Sequence, residues 1–167
     1  MIVCSTPRLL IRQMTPGDAA FLHRQITEPS WIENIGDRDV GSPEEAARYI
    51  ESRIFVQYKS LGYGMNLIQS KATGEPVGVC GLTKKAYLQH PDIGFALLER
   101  HWGQGYAVEA ARAVMTHAEQ SLGILSFSAV VIPTNERSAK VLGKLGFQLE
   151  NAEFQTPDGK RLRLYAA

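Results

Sequence analysis

Polar and apolar residues change period several times along the chain, and each change predicts an element. Asp92 to Leu98 is mostly apolar and β-tolerant, which predicts a buried strand. Trp102-Gly103-Gln104-Gly105-Tyr106-Ala107 breaks that pattern. From Ala107 the apolar residues recur at 107, 108, 111, 114, 115 and 118, one face of a helix. Gly123 is its expected stop after Leu122. The rest of the chain is organised around this strand, glycine loop and helix.

Arg8 to Gln13 predicts a first strand. Thr15-Pro16-Gly17-Asp18 is a helix start, with Thr15 as N-cap and Pro16 at the first helical position, and the helix runs to about Ile26. Ser30 to Asn34 predicts a further turn of helix. Ser42-Pro43-Glu44-Glu45 opens a helix from Pro43 to about Tyr58, with Ala46, Ala47, Ile50, Ile54 and Tyr58 towards the core. Gly64–Gln69 and Val77–Thr83 read as strands joined by a hairpin-type connection. Leu125–Ile132 is the next strand. Asn135 to about Lys144 is a helix burying Val141, Leu142 and Leu145 and ended by Gly146. Phe147–Gln155 and Arg161–Ala166 form a final hairpin around Pro157-Asp158-Gly159. The expected fold class is α/β, a mixed sheet with helices on its faces.

Composition narrows the function. The 167 residues fit one domain with a sizeable core, residues 1–167 throughout. A net charge of +1 gives no global case for direct nucleic-acid binding. Cys4 and Cys80 make no disulfide framework, and reduced thiols in the cytoplasm are expected. Met1 to Thr6 lacks a basic region followed by an apolar run, so no secretory signal is expected. No apolar run approaches the roughly 18 residues of a membrane span.

The loop carries the first chemical signal. Glycines let a backbone approach a ligand, and the first amides of a helix lack partners within it. With the positive end of the helix dipole they suit a pyrophosphate. Gly103-Gln-Gly105-Tyr-Ala-Val108 is also a partial dinucleotide fingerprint, which leaves an NAD-type oxidoreductase as a rival. Val108 in the sixth position argues against it. So does the following strand, which ends in Ile-Pro-Thr without an acidic residue to bind a ribose.

The ordered set of motifs resembles the GCN5-related N-acetyltransferases (GNAT), most closely the branch that contains the ribosomal-protein N-terminal acetyltransferases. Trp102-Gly103-Gln104-Gly105-Tyr106-Ala107 with Glu109-Ala110 resembles the acetyl-CoA pyrophosphate loop. Thr6-Pro7-Arg8-Leu9-Leu10-Ile11-Arg12 resembles the opening strand, Asp92-Ile93-Gly94-Phe95 the central strand, and Asn135-Glu136-Arg137-Ser138 with Lys144-Leu145-Gly146-Phe147 the last helix. Arg100-x-x-Gly103-x-Gly105 is a second register for the loop. Trp102 is preferred at the first position because five residues, counting Trp102 itself, then separate it from Leu97, as in the family. Many relatives carry a tyrosine acid where this chain has Leu142.

The resemblance implies a mostly antiparallel sheet flanked by helices and opened between strands 92–98 and 125–132. It implies direct acetyl transfer from acetyl-CoA to a primary amine, either a protein N-terminus or a small molecule, with no metal. Gly103, Gln104, Gly105, Tyr106, Ala107 and Val108 would hold the pyrophosphate. The strand amides of Phe95, Ala96 and Leu97 would bond the pantetheine arm and the thioester carbonyl. Asn135 and Ser138 would face the same arm, with Ser138 as a proton donor to the leaving thiolate; Asn135 is equally a good N-cap. Asp92 is the candidate base through water, or simply a strand-edge carboxylate. Trp31 and Asn34 would border the acceptor, or pack a helix against the sheet. His90 and Cys80 are expected to be a surface-loop and a core residue. A domain that holds acyl-CoA without turnover remains a further reading. A monomer or homodimer is expected, with no membrane partner.

Overall fold

The computed structural model describes residues 1–167. The chain begins with a strand that the pattern does not announce. β1 (Ile2–Ser5) pairs antiparallel with β2 (Leu9–Gln13) through a register shift between Ile2 and Cys4. A 3-10 turn (Pro16–Asp18) precedes α1 (Ala19–Ile26). Its start is fixed by Asp18, whose Oδ2 accepts the Thr15 N–H at 2.8 Å while its two oxygens receive the Arg12 guanidinium, each at 2.8 Å. α2 (Pro29–Asn34) follows. The predicted helix from Pro43 is not a continuous α-helix. It comprises α3 (Pro43–Tyr49), a π-helical turn (Ile50–Ile54) and α4 (Phe55–Leu61). The Ile50 and Ile54 spacing of four suits the wider π turn as well as an α turn, so both are buried.

β3 (Met65–Ser70), β4 (Pro76–Thr83) and β5 (Asp92–Leu97) continue the antiparallel sheet. α5 (Tyr106–Leu122) crosses it and ends at Gly123 with φ +68°. The next strand is shorter than predicted: β6 covers only Ser128–Val131. Leu125 is 77% exposed and lies outside it, and Phe127 instead exchanges backbone bonds of 2.7 and 3.0 Å with Ala167. α6 (Glu136–Leu145) and the hairpin β7 (Gln148–Gln155) and β8 (Arg161–Ala166) complete the chain. Phe147 belongs to the helix end, where its N–H donates to Leu142 O at 3.0 Å, and not to β7. Val141 is half-buried, short of the predicted core position.

The eight strands form one sheet in the order β1-β2-β3-β4-β5-β6-β8-β7. A core lies on each face. One packs Ile11, Ile68, Ile93 and Phe127 under α5 and α6, with Leu142 fully buried. A buried leucine of that kind contributes about 2–5 kcal/mol. The other packs Leu67, Val79 and Leu98 under α1 and α3. Strand alternation divides β5 between them: Ile93, Phe95 and Leu97 face the first core, Ala96 and Leu98 the second.

The sheet is antiparallel except at its centre. β5 and β6 run parallel and share one register pair, Asp92 with Ser128. Beyond that pair they separate, which leaves an open edge on β5. No helix is long and apolar enough to cross a membrane.

Candidate active site

The site is built on that open edge. Ser128 N–H donates to Pro91 O at 2.9 Å, so position 91 faces β6. Leu98 N–H donates to Val77 O at 3.0 Å, so position 98 faces β4. In an antiparallel ladder the direction alternates from residue to residue. The amides of Phe95 and Leu97 therefore point into the gap. Ala96 does not share this direction: it faces β4 and contributes its side chain to the wall. Gln25, buried on α1, donates Nε2 to Ala96 O at 2.9 Å and ties the strand to the helix beneath.

The glycine loop closes one end of the gap. Gly103 has φ +74° and Gly105 φ +78°, a region that costs a residue with a Cβ roughly 1–2 kcal/mol. A Cβ at Gly103 would project into open space, where a ligand would lie. The first backbone bond of the helix is Glu109 N–H to Gly105 O at 3.1 Å, and the amides of Gly103 to Val108 have no acceptor within the protein. They fit a pyrophosphate. Trp102 fixes the loop's entry by donating Nε1 to Leu97 O at 3.0 Å, and the Arg137 guanidinium lies 3.5 Å from the centre of its ring.

A contact from the other end of the sequence holds the loop. Glu109 Oε1 accepts the Thr6 hydroxyl at 2.5 Å and the Arg8 N–H at 3.2 Å, and its Oε2 accepts Arg8 Nε at 2.7 Å. Arg8 Nη1 also donates to Gln104 O at 2.9 Å, and the guanidinium lies over the Tyr106 ring at 4.6 Å. Burial pushes the Glu109 carboxyl up, but the bonds from Thr6 and Arg8 outweigh it and leave it below its usual value. No local pattern discloses this clamp, although Thr6 and Arg8 both lie in the opening motif. Arg8→Ala removes a cation and leaves Glu109, still bonded by the Thr6 hydroxyl and the residue 8 N–H, without a counter-charge beside the phosphate cradle. Its KM for acetyl-CoA is expected to rise about tenfold with kcat little changed, measured by thiol release. An unchanged KM would show that the clamp does not order the loop.

Two spaces meet at β5. A groove of about 320 Å³ runs along the glycine loop and α6, lined by Arg137, Lys140 and Lys144 among others. A cavity of about 620 Å³ lies towards α2, the π turn and the β7–β8 connection. Phe95, Ala96, Asn135, Ser138, Trp31 and Asn34 line both. The residues expected at the cofactor and acceptor sites are thus brought to one junction. Asn135 does act as the cap: its Oδ1 accepts the Ser138 N–H at 3.1 Å. Trp31 Nε1 is buried without an acceptor, and Asn34 donates to Ser30 O at 2.8 Å within its own helix. Ser138 stands one turn before Leu142, which is sealed in the core, so α6 offers a hydroxyl but no phenol at this wall.

Asp92 sits at the apex where β5 and β6 part, 6% exposed. Its Oδ1 accepts the Val130 N–H at 3.1 Å, which bridges the two strands beyond their one register pair. Its Oδ2 meets Lys85 Nζ at 2.9 Å and the Thr83 hydroxyl at 3.4 Å. Burial pushes its pKa up, while Lys85 and the Val130 amide pull it back without cancelling the rise. A carboxylate has about four lone-pair positions, so one remains for water. His90 is exposed on its loop. Cys80 is fully buried, and burial holds its thiol well above the ordinary value.

Comparison with known proteins agrees with this geometry. The chain is 28% identical over 151 residues, 89% of its length, to the uncharacterized N-acetyltransferase YoaA of Bacillus subtilis (strain 168), of which 84% is covered. The solved structure of a ribosomal L7/L12 alpha-N-protein acetyltransferase, RimL, with coenzyme A superposes with a TM-score of 0.84 at 22% identity, covering 100% of this chain and 97% of that one. An acetyltransferase from Agrobacterium tumefaciens str. C58 gives 0.82 at 24% identity, covering 98% and 92%. The acetyltransferase (GNAT) domain matches residues 8–148, from the Arg8 clamp to the start of β7. The chain belongs to the GNAT acetyltransferase family and is an acetyl-CoA-dependent acetyltransferase.

Proposed function

We propose that this protein is an N-acetyltransferase, a single domain, that moves the acetyl group of acetyl-CoA directly to a primary amine. The open edge of β5 supports the proposal: two free strand amides lie between a loop of unpartnered amides and the larger cavity that adjoins it. Acetyl-CoA supplies an activated acyl group as a thioester. The amides of Gly103 to Val108 receive its pyrophosphate, and Arg137, Lys140 and Lys144 add positive charge along the groove. Leu97 N–H holds the pantetheine arm. Phe95 N–H donates to the thioester oxygen and stabilises the charge that grows there; a single such donor is worth about 2.7–4 kcal/mol.

The amine enters from the larger cavity, past Trp31 and Asn34. An amine is mostly protonated at neutral pH, and Asp92 accepts its proton through water. The raised pKa makes Asp92 a better base than an ordinary carboxylate. As the C–N bond forms and the C–S bond breaks, the amine's second proton passes to the departing thiolate by way of the Ser138 hydroxyl, which gives one proton and takes one, directly or through water. Nothing in this sequence of events needs a covalent enzyme intermediate. A protein N-terminal α-amine is one acceptor class, by analogy with RimL; small amines are the other. The reading places the enzyme in the cytoplasm, as a monomer or homodimer.

Thermal melting with acetyl-CoA, CoA and NAD, followed by thiol release with an amine panel, tests the proposal. A ligand at 100 times its Kd stabilises the fold by about 2.7 kcal/mol, or roughly 2–5 °C here. Stabilisation by acetyl-CoA with amine-dependent thiol release is expected. Stabilisation without turnover on any amine would favour a domain that only holds acyl-CoA. Protection by NAD alone would overturn the assignment of the loop.

A further inference from the structure

We infer that the acceptor carries a carboxylate besides its reactive amine, on the part that enters the cavity, and that Arg53 and Arg38 receive it. The inference rests on the larger cavity being the acceptor site. Six charged side chains line that cavity: Arg38, Arg53, Lys85, Lys160, Asp92 and Asp158. Both carboxylates are already engaged. Asp92 pairs with Lys85 at 2.9 Å. Asp158 accepts the Thr156 hydroxyl, and that bond and backbone amides hold its carboxyl below the usual range.

The arginines are not engaged. Arg8, Arg12, Arg48, Arg100, Arg161 and Arg163 each meet a carboxylate, and Arg24, Arg112 and Arg137 meet the Phe21 ring, Lys144 O and the Trp102 ring, whereas Arg38 and Arg53 meet none of these. Arg38 and Arg53 stand at the exposed rim of the cavity, and their neighbours in sequence Asp37, Asp39 and Glu51 do not line it. The π turn explains how Arg53 reaches it. A π turn carries more residues than an α turn, so positions four apart stay on one face. Tyr49, Arg53 and Gln57 line the cavity in that spacing, while Ile50 turns into the core. Gln57 Oε1 is buried without a donor and is available to an N–H of the ligand.

The chemistry discriminates between amines. A guanidinium presents a planar fork of donors that matches a carboxylate. A polycation such as a polyamine needs free carboxylates and would meet two unpaired guanidinium groups instead. The same chemistry is offered by a free acidic amino acid and by a peptide whose first residue is acidic.

Thiol release with glutamate, aspartyl-alanyl-alanine amide, lysyl-alanyl-alanine amide and spermidine tests this. At least one acidic amine is expected to exceed both cationic ones in kcat/KM by about tenfold or more, and the better of the two tells a free amino acid from a peptide N-terminus. Arg53→Gln is expected to raise KM for the acidic amine about tenfold and leave KM for acetyl-CoA unchanged. Arg53→Glu, with melting as the check on folding, should narrow or reverse the preference. Wild-type preference for spermidine or the lysyl peptide, or a preference that Arg53→Glu leaves in place, would overturn the inference. If acetyl-CoA binds but no amine of either charge is acetylated, the proposed acetyl transfer falls, and this inference with it.

Discussion

Gly105→Glu is expected to abolish stabilisation by acetyl-CoA and to lower kcat/KM by more than about a hundredfold. Three effects act together. Position 105 has φ +78°, so any side chain strains the loop by roughly 1–2 kcal/mol. A Cβ there lies 3.4 Å from Arg8 Nη2, close to the clamp that orders the loop. The new carboxylate then competes for Arg8 and stands where the phosphates should be, repelling them. Gly105→Ala separates these effects. It keeps the strain and omits the charge, so its loss should be about tenfold or less. Melting without ligand checks that both variants fold. Unchanged acetyl-CoA stabilisation in Gly105→Glu would mean that the loop binds no phosphate.

The second large effect is expected at Asp92. Asp92→Asn should lower kcat by about 10²–10⁴ while acetyl-CoA still binds, because it removes the proton acceptor and leaves the loop intact. The wild-type rate should rise with pH through the Asp92 pKa, which burial places above the ordinary carboxylate range, and the variant should lack that limb. Stability moves the other way. A carboxyl whose folded pKa is raised contributes stability that is fully present below its unfolded pKa, about 3.9, and lost as pH rises through the folded pKa. The wild-type advantage over Asp92→Asn in urea unfolding should therefore shrink between acidic and neutral pH. Full turnover in the variant would leave Asp92 only its role of bridging β5 to β6 through Val130.

What the sequence discloses follows from how local each feature is. The glycine loop and α5 were legible because Gly103, Gly105 and Gly123 mark the boundaries by conformation. The final hairpin was legible from Pro157-Asp158-Gly159. β1 was not: four residues at an edge, paired only with β2, make a strand by tertiary contact. Leu125 and Ser126 have the composition of a strand and no partner to complete one, and Phe127 pairs with Ala167 alone. The π turn was hidden because Ile50 and Ile54 satisfy either helix. The Arg8–Glu109 clamp joins residues 101 apart, which no local pattern reports. Likewise, the spacing of Asp92 does not disclose its partners Lys85 and Val130. Tyr49, Arg53 and Gln57 recur every four residues, but nothing in the sequence shows that this face meets a cavity.

The most direct test of the account is an amide-resolved NMR titration of this 167-residue protein with acetyl-CoA. The largest shifts are expected at the amides of Gly103 to Val108 and of Phe95 and Leu97, with Ala96, turned towards β4, moving less. Saturating acetyl-CoA that leaves those amides in place, or that moves a different region of the sheet, would contradict a cofactor seated between the glycine loop and the open edge of β5.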